Sequence, residues 1–291
     1  MNIQCGRVFI VNELNLSSSA AEYVQTSIKE GVLTIMMNKP KKLNGWTQEM
    51  MDAFKEALAV AAKDDSSKAV ILTGAGHYYS AGVNFGGTLK PMHPKKLHKM
   101  IVEHNQKLFE VFLNFPKPIL AAMNGPAIGA SVTSATLCSG IIASENATFS
   151  TPFAALGITP EGCSSIHFAR LMGETGAQRM LGSEGWKPTA SEALAAGLVQ
   201  WVVPQEQLLD EAHVIAKGWV EKGQGRTFLG GSQLQELNEA NARESLELAD
   251  AFLGADFLRE QFKFSWSKKK RAPAMVFLTL WLLRPLWKHL A

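Results

Sequence analysis

Cysteine is scarce in this chain: Cys5, Cys138 and Cys163 are the only three among 291 residues. An odd number at wide spacing makes no disulfide framework and fits a reducing compartment, and no pair has metal-ligand spacing. An excess of one charge is also missing. The 29 Lys and Arg against 26 Asp and Glu leave a net +3, so nothing global argues for a nucleic-acid partner. Long apolar runs are lacking too. The most apolar stretch, Ala274 to Leu283, is ended by Arg284 and is shorter than the roughly 20 residues a bilayer span requires. It is expected as a docked terminal helix without stable membrane insertion, contact with a membrane surface or a partner being left open. The N-terminal residues show no apolar core with a basic flank and cleavage site, so secretion is not expected. The dinucleotide fingerprint G-x-G-x-x-G is absent as well, because Gly74-Ala75-Gly76 runs on to Tyr79 where the third glycine belongs.

What is present reads as a globular core, with 46% apolar and 19% charged residues. Short β-rich stretches at Arg7–Val11, Tyr23–Ile28 and Val32–Met37 open the chain, the last two joined through Glu30-Gly31 as a hairpin. Thr47 caps a helix that carries Met50, Met51, Phe54, Leu58 and Ala61 on one face and ends near Lys63. Ala69–Thr73 and Ile119–Met123 are buried strands. Between them, Leu97, Ile101, Leu108 and Phe112 recur at helical spacing in a helix over Leu89–Leu113, stopped by Pro116-Lys117-Pro118. A small-residue helix is predicted over Ala130–Cys138, strands over Ile141–Ala143, Thr148–Ser150 and Leu198–Val203, and helices over most of the remainder. Alternating strands and helices indicate an α/β layer structure. Periodicity does not separate this from a doubly wound nucleotide-binding fold.

Three segments carry chemistry. The first is Tyr78-Tyr79-Ser80-Ala81-Gly82-Val83-Asn84-Phe85, after a strand. The second is Asn124-Gly125-Pro126-Ala127-Ile128-Gly129-Ala130-Ser131, a strand-to-helix turn. The third runs from Thr148 to Cys163 and contains Glu161 between Pro160 and Gly162. In the first two, small residues let backbone N–H groups face a ligand, and the second also opens a helix whose first N–H groups lack partners. Two such groups converging on one oxygen would make an oxyanion hole. Each turn taken singly reads better as a tight turn and nothing more.

Taken in order from about Val32 to Val203, the segments resemble the crotonase (enoyl-CoA hydratase/isomerase) superfamily. Within it, Asn38-Lys39-Pro40-Lys41-Lys42, Tyr78 to Gly82, Asn124 to Gly129 and Pro160-Glu161-Gly162-Cys163-Ser164-Ser165 look most like the peroxisomal-type Δ3,Δ2-enoyl-CoA isomerases. The resemblance implies an α/β, crotonase-like spiral of ββα units over residues 1–205, and a C-terminal helical trimerisation region over 206–291. It also implies a homotrimer or homohexamer, an acyl-CoA thioester substrate, and no cofactor beyond the coenzyme A that is part of that substrate. Hydratases of the family use two glutamates, at positions matched here by Thr133 and Phe153, so efficient hydration is disfavoured. The acid–base role falls to Glu161, with the backbone N–H groups of Ala81 and Ala130 holding the enolate. Phe153, Leu156 and Ile158 are expected to form an apolar wall that raises the Glu161 pKa.

Coenzyme A is expected along Ala81, Gly82, Val83, Asn84 and Phe85. Lys41 and Lys42 are candidates for its phosphates or simply solvated cations. Cys163 is expected as a packed small residue. Asn84 stands where the family usually has Asp, Gly45-Trp46 is bulkier than the usual pair, and Ala272–Ala291 extends past the usual end. A peroxisomal location is the family expectation, with mitochondrion and cytosol left open because His289-Leu290-Ala291 is not an address of the Ser-Lys-Leu type. Two other readings stay open: a different thioester reaction on the same scaffold, and a binding module without catalysis.

Overall fold

A computed structural model describes residues 13–83 and 92–290; the expected strand at Arg7–Val11 and the positions Asn84 and Phe85 lie outside them. A short helix α1 (Ser18–Tyr23) precedes the hairpin β1 (Val24–Lys29) and β2 (Val32–Met37). The strands pair antiparallel across Glu30 and Gly31, both at positive φ of 51° and 78°, the geometry that matches the twist of a two-residue hairpin. Helix α2 (Gln48–Lys63) comes next, with the Thr47 hydroxyl accepting the Met50 N–H at 3.4 Å. Strand β3 (Ala69–Gly74) and helix α3 (Pro94–Leu113) come after it. The helix therefore begins five residues later than the spacing predicts: Pro94 occupies its first position and the His93 ring caps it.

The middle of the chain supplies β4 (Ile119–Met123), β5 (Ala127–Ile128), α4 (Ala130–Thr136), β6 (Gly140–Ser144), β7 (Phe149–Ser150) and α5 (Phe153–Leu156). Then come α6 (Ser164–Leu181), α7 (Ala190–Ala196), β8 (Trp201–Val203) and α8 (Leu208–Glu221). Helices α9 (Leu234–Phe252), α10 (Ala255–Ser267) and α11 (Arg271–Trp287) end the described chain. Helix α6 has non-helical backbone at Gly173, where φ is +71°. The strand expected from Leu198 shortens to Trp201–Val203, because the amides of Leu198 and Val199 turn back onto the Ala193 carbonyl at the end of α7. Four-residue α5 escapes detection by periodicity, since it is too short to repeat.

The main sheet has the order β1-β2-β3-β4-β6-β8, antiparallel at the first pair and parallel elsewhere, and β5 pairs with β7 in a small second sheet. This is the α/β class expected. The period of two along each strand divides its side chains between two cores. Leu33, Ile35, Val70, Leu72, Ala121 and Ile141 belong to the larger one, with α2, α3 and α4. Val32, Ala69, Ile71, Leu120, Ala122 and Ile142 meet Leu208, Ala212 and Ala216 of α8 on the other face. Helix α8 thus covers the sheet although it lies beyond residue 205. Burial on both faces explains the unbroken apolar runs of β3, β4 and β6. The bulky Gly45-Trp46 pair is accommodated because the Trp46 ring packs against both Phe54 and Phe112, with centroids 6.2 and 6.4 Å away, and those two rings touch each other at 5.5 Å.

A third cluster joins Ile101, Phe153, Ile158, Leu248, Phe252 and Phe257, so the C-terminal helices lie over the segment that precedes Glu161. Helix α9 is fastened to α3 by Asn105 Nδ2 donating to Ser245 Oγ at 3.0 Å and Asn241 Nδ2 donating to the Gln106 carbonyl at 3.1 Å. Helix α11 docks through Ala274, with Phe277, Trp281 and Trp287 against the third cluster. Its other side leaves Met275, Val276, Leu282, Leu283 and Leu286 exposed. Among the described residues no helix is long and apolar enough to cross a membrane.

Candidate active site

Two buried asparagines shape the first turn. Asn44 Nδ2 donates to the Ala75 and Tyr78 carbonyls at 2.9 and 2.8 Å. Asn124 accepts the Gly74 N–H at 3.1 Å and donates to the Gly76 carbonyl at 2.8 Å. Ser80 then ties the turn to the second segment: its carbonyl accepts the Ile128 N–H at 3.1 Å and the Ser131 hydroxyl at 3.2 Å. The second segment is joined to the third by Gly129 N–H donating to the Ser150 carbonyl at 2.7 Å. The three segments singled out in the sequence therefore meet.

At Gly82 the two turns touch so closely that a Cβ would lie 2.2 Å from the Ile128 carbonyl oxygen, and φ is +74°. Only glycine meets both conditions. The contact also brings the Ala130 amide nitrogen to 3.9 Å from that Cβ position.

The amides of this corner are unequal. Ala81, expected as an oxyanion donor, already donates its N–H to the Leu43 carbonyl at 2.9 Å, and Gly82 donates to Ser80 Oγ at 3.0 Å. A backbone amide has one proton, so Ala81 would have to break that bond to meet an enolate. The N–H groups of Val83 and Ala130 have no acceptor among the described residues. Ala130 is the first residue of α4, where no intrahelical partner exists.

Glu161 sits on the loop between α5 and α6, only 7% exposed. Burial, and then the charge of Glu244, push its carboxyl up from 4.5 to about 8. Among the described residues, no hydrogen bond to the carboxyl and no cation opposes the shift. Gly162 makes the loop possible. At its φ of +67°, a Cβ would come within 2.5 Å of the Phe109 ring and 2.6 Å of Thr133 Oγ1. Phe109 is thus the apolar neighbour found at the loop, and sequence reasoning did not name it. Phe153 and Ile158 lie buried in the third cluster, with Leu156 packed against it. Thr133 is buried and its hydroxyl donates to the Ala130 carbonyl at 3.3 Å. Thr133 and Phe153 leave no carboxyl at either position.

Glu244 of α9 is the functional candidate that sequence reasoning missed. It is fully buried and accepts the Cys163 N–H at 2.7 Å and the Ser165 N–H at 2.9 Å. The signal was available: Leu237, Ala240, Asn241, Ser245 and Leu248 mark the inward face of an amphipathic helix, and Glu244 falls on it. Cys163 is buried, its thiol donates to the Leu237 carbonyl at 3.2 Å, and burial raises its pKa. Of the lysines near the first turn, Lys39 pairs with Glu22 at 2.6 Å. Lys41 and Lys42, the candidates for phosphate contacts, stand exposed on the turn before Leu43.

Residues 27–263 match the family model described as Enoyl-CoA hydratase/isomerase. Enoyl-CoA delta isomerase 2 of Homo sapiens is 34% identical over 261 residues, 87% of this chain and 66% of that protein. The chain thus spans just under two thirds of that relative. Enoyl-CoA delta isomerase 3, peroxisomal, of Mus musculus is 31% identical over 83% of this chain and 78% of its own length. Among solved structures, an enoyl-CoA hydratase/isomerase from Pseudoalteromonas atlantica T6c superposes with a TM-score of 0.71 at 26% identity, covering 85% of this chain and 97% of that one.

Proposed function

The chain belongs to the enoyl-CoA hydratase/isomerase family, and we propose that within it this protein is a Δ3,Δ2-enoyl-CoA isomerase with Glu161 as its single acid–base group. The observation that carries the reading is a buried carboxyl raised to about 8 in a corner where Thr133 and Phe153 replace the two hydratase glutamates. Moving a double bond from C3–C4 to C2–C3 takes a proton from C2 and returns one to C4. One carboxyl on one face of the substrate serves both steps. As carboxylate it removes the C2 proton, and as carboxylic acid it delivers a proton to C4. A pKa near working pH suits both halves, and such a base contributes about 10²–10⁴ in rate.

The C2 proton is acidic enough only if the thioester oxygen can hold the resulting negative charge. Ala130 N–H and an N–H of the Ala81–Val83 turn are the donors for it, with Val83 the one whose proton is uncommitted among the described residues. Each such donor is worth about 10²–10³ in rate. Coenzyme A would lie along Ala81 to Phe85. A homotrimer or a hexamer of two trimers goes with this reading, and the exposed apolar side of α11 offers surface for contact. The name of the mouse relative supports a peroxisomal place of action.

The test is turnover of 3-hexenoyl-CoA and of trans-2-hexenoyl-CoA, measured separately in wild type and Glu161→Gln. The expected result is isomerisation of the first, little hydration of the second, and loss of isomerisation in the variant. Efficient hydration, or a Glu161→Gln protein as active as wild type, overturns the proposal. Binding of both thioesters with no turnover of either would favour a non-catalytic module.

A further inference from the structure

Behind Glu161 the chain takes an awkward path. Gly162 and Cys163 lie in succession at φ of +67° and +65°, and the second is not a glycine, so its conformation is held against a steric preference. Helix α6 starts immediately after them, and its first amides have no intrahelical partner. The amides of Cys163, Ser164 and Ser165 are all taken. Cys163 and Ser165 donate to the two oxygens of Glu244 at 2.7 and 2.9 Å, and Ser164 donates back to the Glu161 carbonyl at 3.3 Å. The Ser164 hydroxyl reinforces that return at 2.7 Å. A side chain from α9 therefore clamps the turn on which Glu161 stands.

We propose that Glu244 is a positioning residue for Glu161, fixing the turn through the Cys163 and Ser165 amides and placing a second negative charge behind the first carboxyl. This role rests on the isomerase reading of the site. The geometry calls for a carboxylate: two donors converge on two acceptor oxygens, whereas a glutamine would offer one oxygen and turn an NH₂ group toward an N–H. It also orders the ionisation of the pair. Burial disfavours charge on both groups, but Glu244 accepts two N–H bonds at a helix start, so it ionises first. Glu161 has no such bonds among the described residues and is left holding the proton. Among the described residues, the other charged or titratable groups at the clamp are few. Arg243 of α9 donates to Ser165 Oγ at 3.2 Å and lies 3.9 Å from exposed Glu247, while Cys163 contributes a buried thiol. Facing α9, α3 presents the neutral Asn105.

The experiment is Glu244→Gln, assayed for kcat and KM across pH, with a carbon-13 titration of glutamate carboxyls alongside. The Glu161 signal is assigned by its disappearance in Glu161→Gln. The expected result is a kcat lower by about 10- to 100-fold with KM little changed, and an acid limb displaced to lower pH together with the Glu161 carboxyl titration. A folded Glu244→Gln protein whose acid limb and carboxyl titration stay at the wild-type positions overturns the proposal. If the wild type shows no isomerase activity, the titration still decides: a shifted Glu161 signal supports the coupling while the isomerase reading fails. Should Glu244→Gln not fold, Glu244→Asp keeps the charge but shortens the reach. It is expected to lower kcat with the acid limb unmoved, and wild-type kcat in that variant would refute the clamp.

Discussion

Replacing Glu161 by Gln should stabilise the protein in alkaline solution while removing its activity. In an unfolded chain the carboxyl titrates near 4.5, and in the folded protein near 8. A group whose folded pKa is raised contributes its stability fully below the unfolded value and loses it as pH climbs through the folded value. Each unit between the two corresponds to about 1.4 kcal/mol. Wild type is therefore destabilised by roughly 2 kcal/mol at pH 6 and by roughly 5 kcal/mol at pH 9, relative to strongly acid solution, through this group alone. Glutamine does not ionise, so it escapes that dependence. Its buried amide has its own desolvation penalty, but that penalty is the same at both pH values. The quantity to compare is thus the difference between variant and wild type, which should grow by about 2–3 kcal/mol in favour of the variant from pH 6 to pH 9. Urea unfolding of both proteins at the two pH values measures it. Parallel stabilities across that range would show that Glu161 is ionised at ordinary pH in the folded protein, and the argument for its role as a poised base would go with it. On the proposed isomerase reading, the same titration predicts that turnover rises with pH as the carboxyl ionises around 8.

Two other substitutions test the frame around that carboxyl. Gly162→Ala places a methyl 2.5 Å from the Phe109 ring and 2.6 Å from Thr133 Oγ1 at a positive φ. It should cost about 2–3 kcal/mol in thermal or chemical unfolding and depress kcat, since the turn must shift; a variant matching wild type in both would contradict the packing described. Ala130→Pro deletes an N–H at the first position of α4, where proline is otherwise tolerated. A fall of about 10²–10³ in kcat with little change in melting temperature is expected, and unchanged kcat would remove Ala130 from the oxyanion site.

The hairpin around Glu30-Gly31, the Thr47 cap and the strands at Ala69 and Ile119 were legible in the sequence because each depends on neighbours within a few positions, whose periodicity and turn chemistry are local. The meeting of the three segments was legible only through the family resemblance of their ordered motifs. So were Thr133 and Phe153 in place of two carboxylates, a substitution that needs no coordinates to notice.

The rest depends on how distant pieces of chain dock. That the Ala81 amide is engaged comes from Leu43, 38 positions earlier, presenting its carbonyl there; no local pattern encodes it. That Glu161 is buried, and faces the charge of a second carboxyl, comes from α9 packing over the loop and bringing Glu244 within 2.7 Å of the Cys163 nitrogen across 81 residues. Sequence alone singled out Glu161 as the candidate acid. The tertiary structure decided its strength, because desolvation and the field of a neighbouring charge exist only once the helices have closed over it.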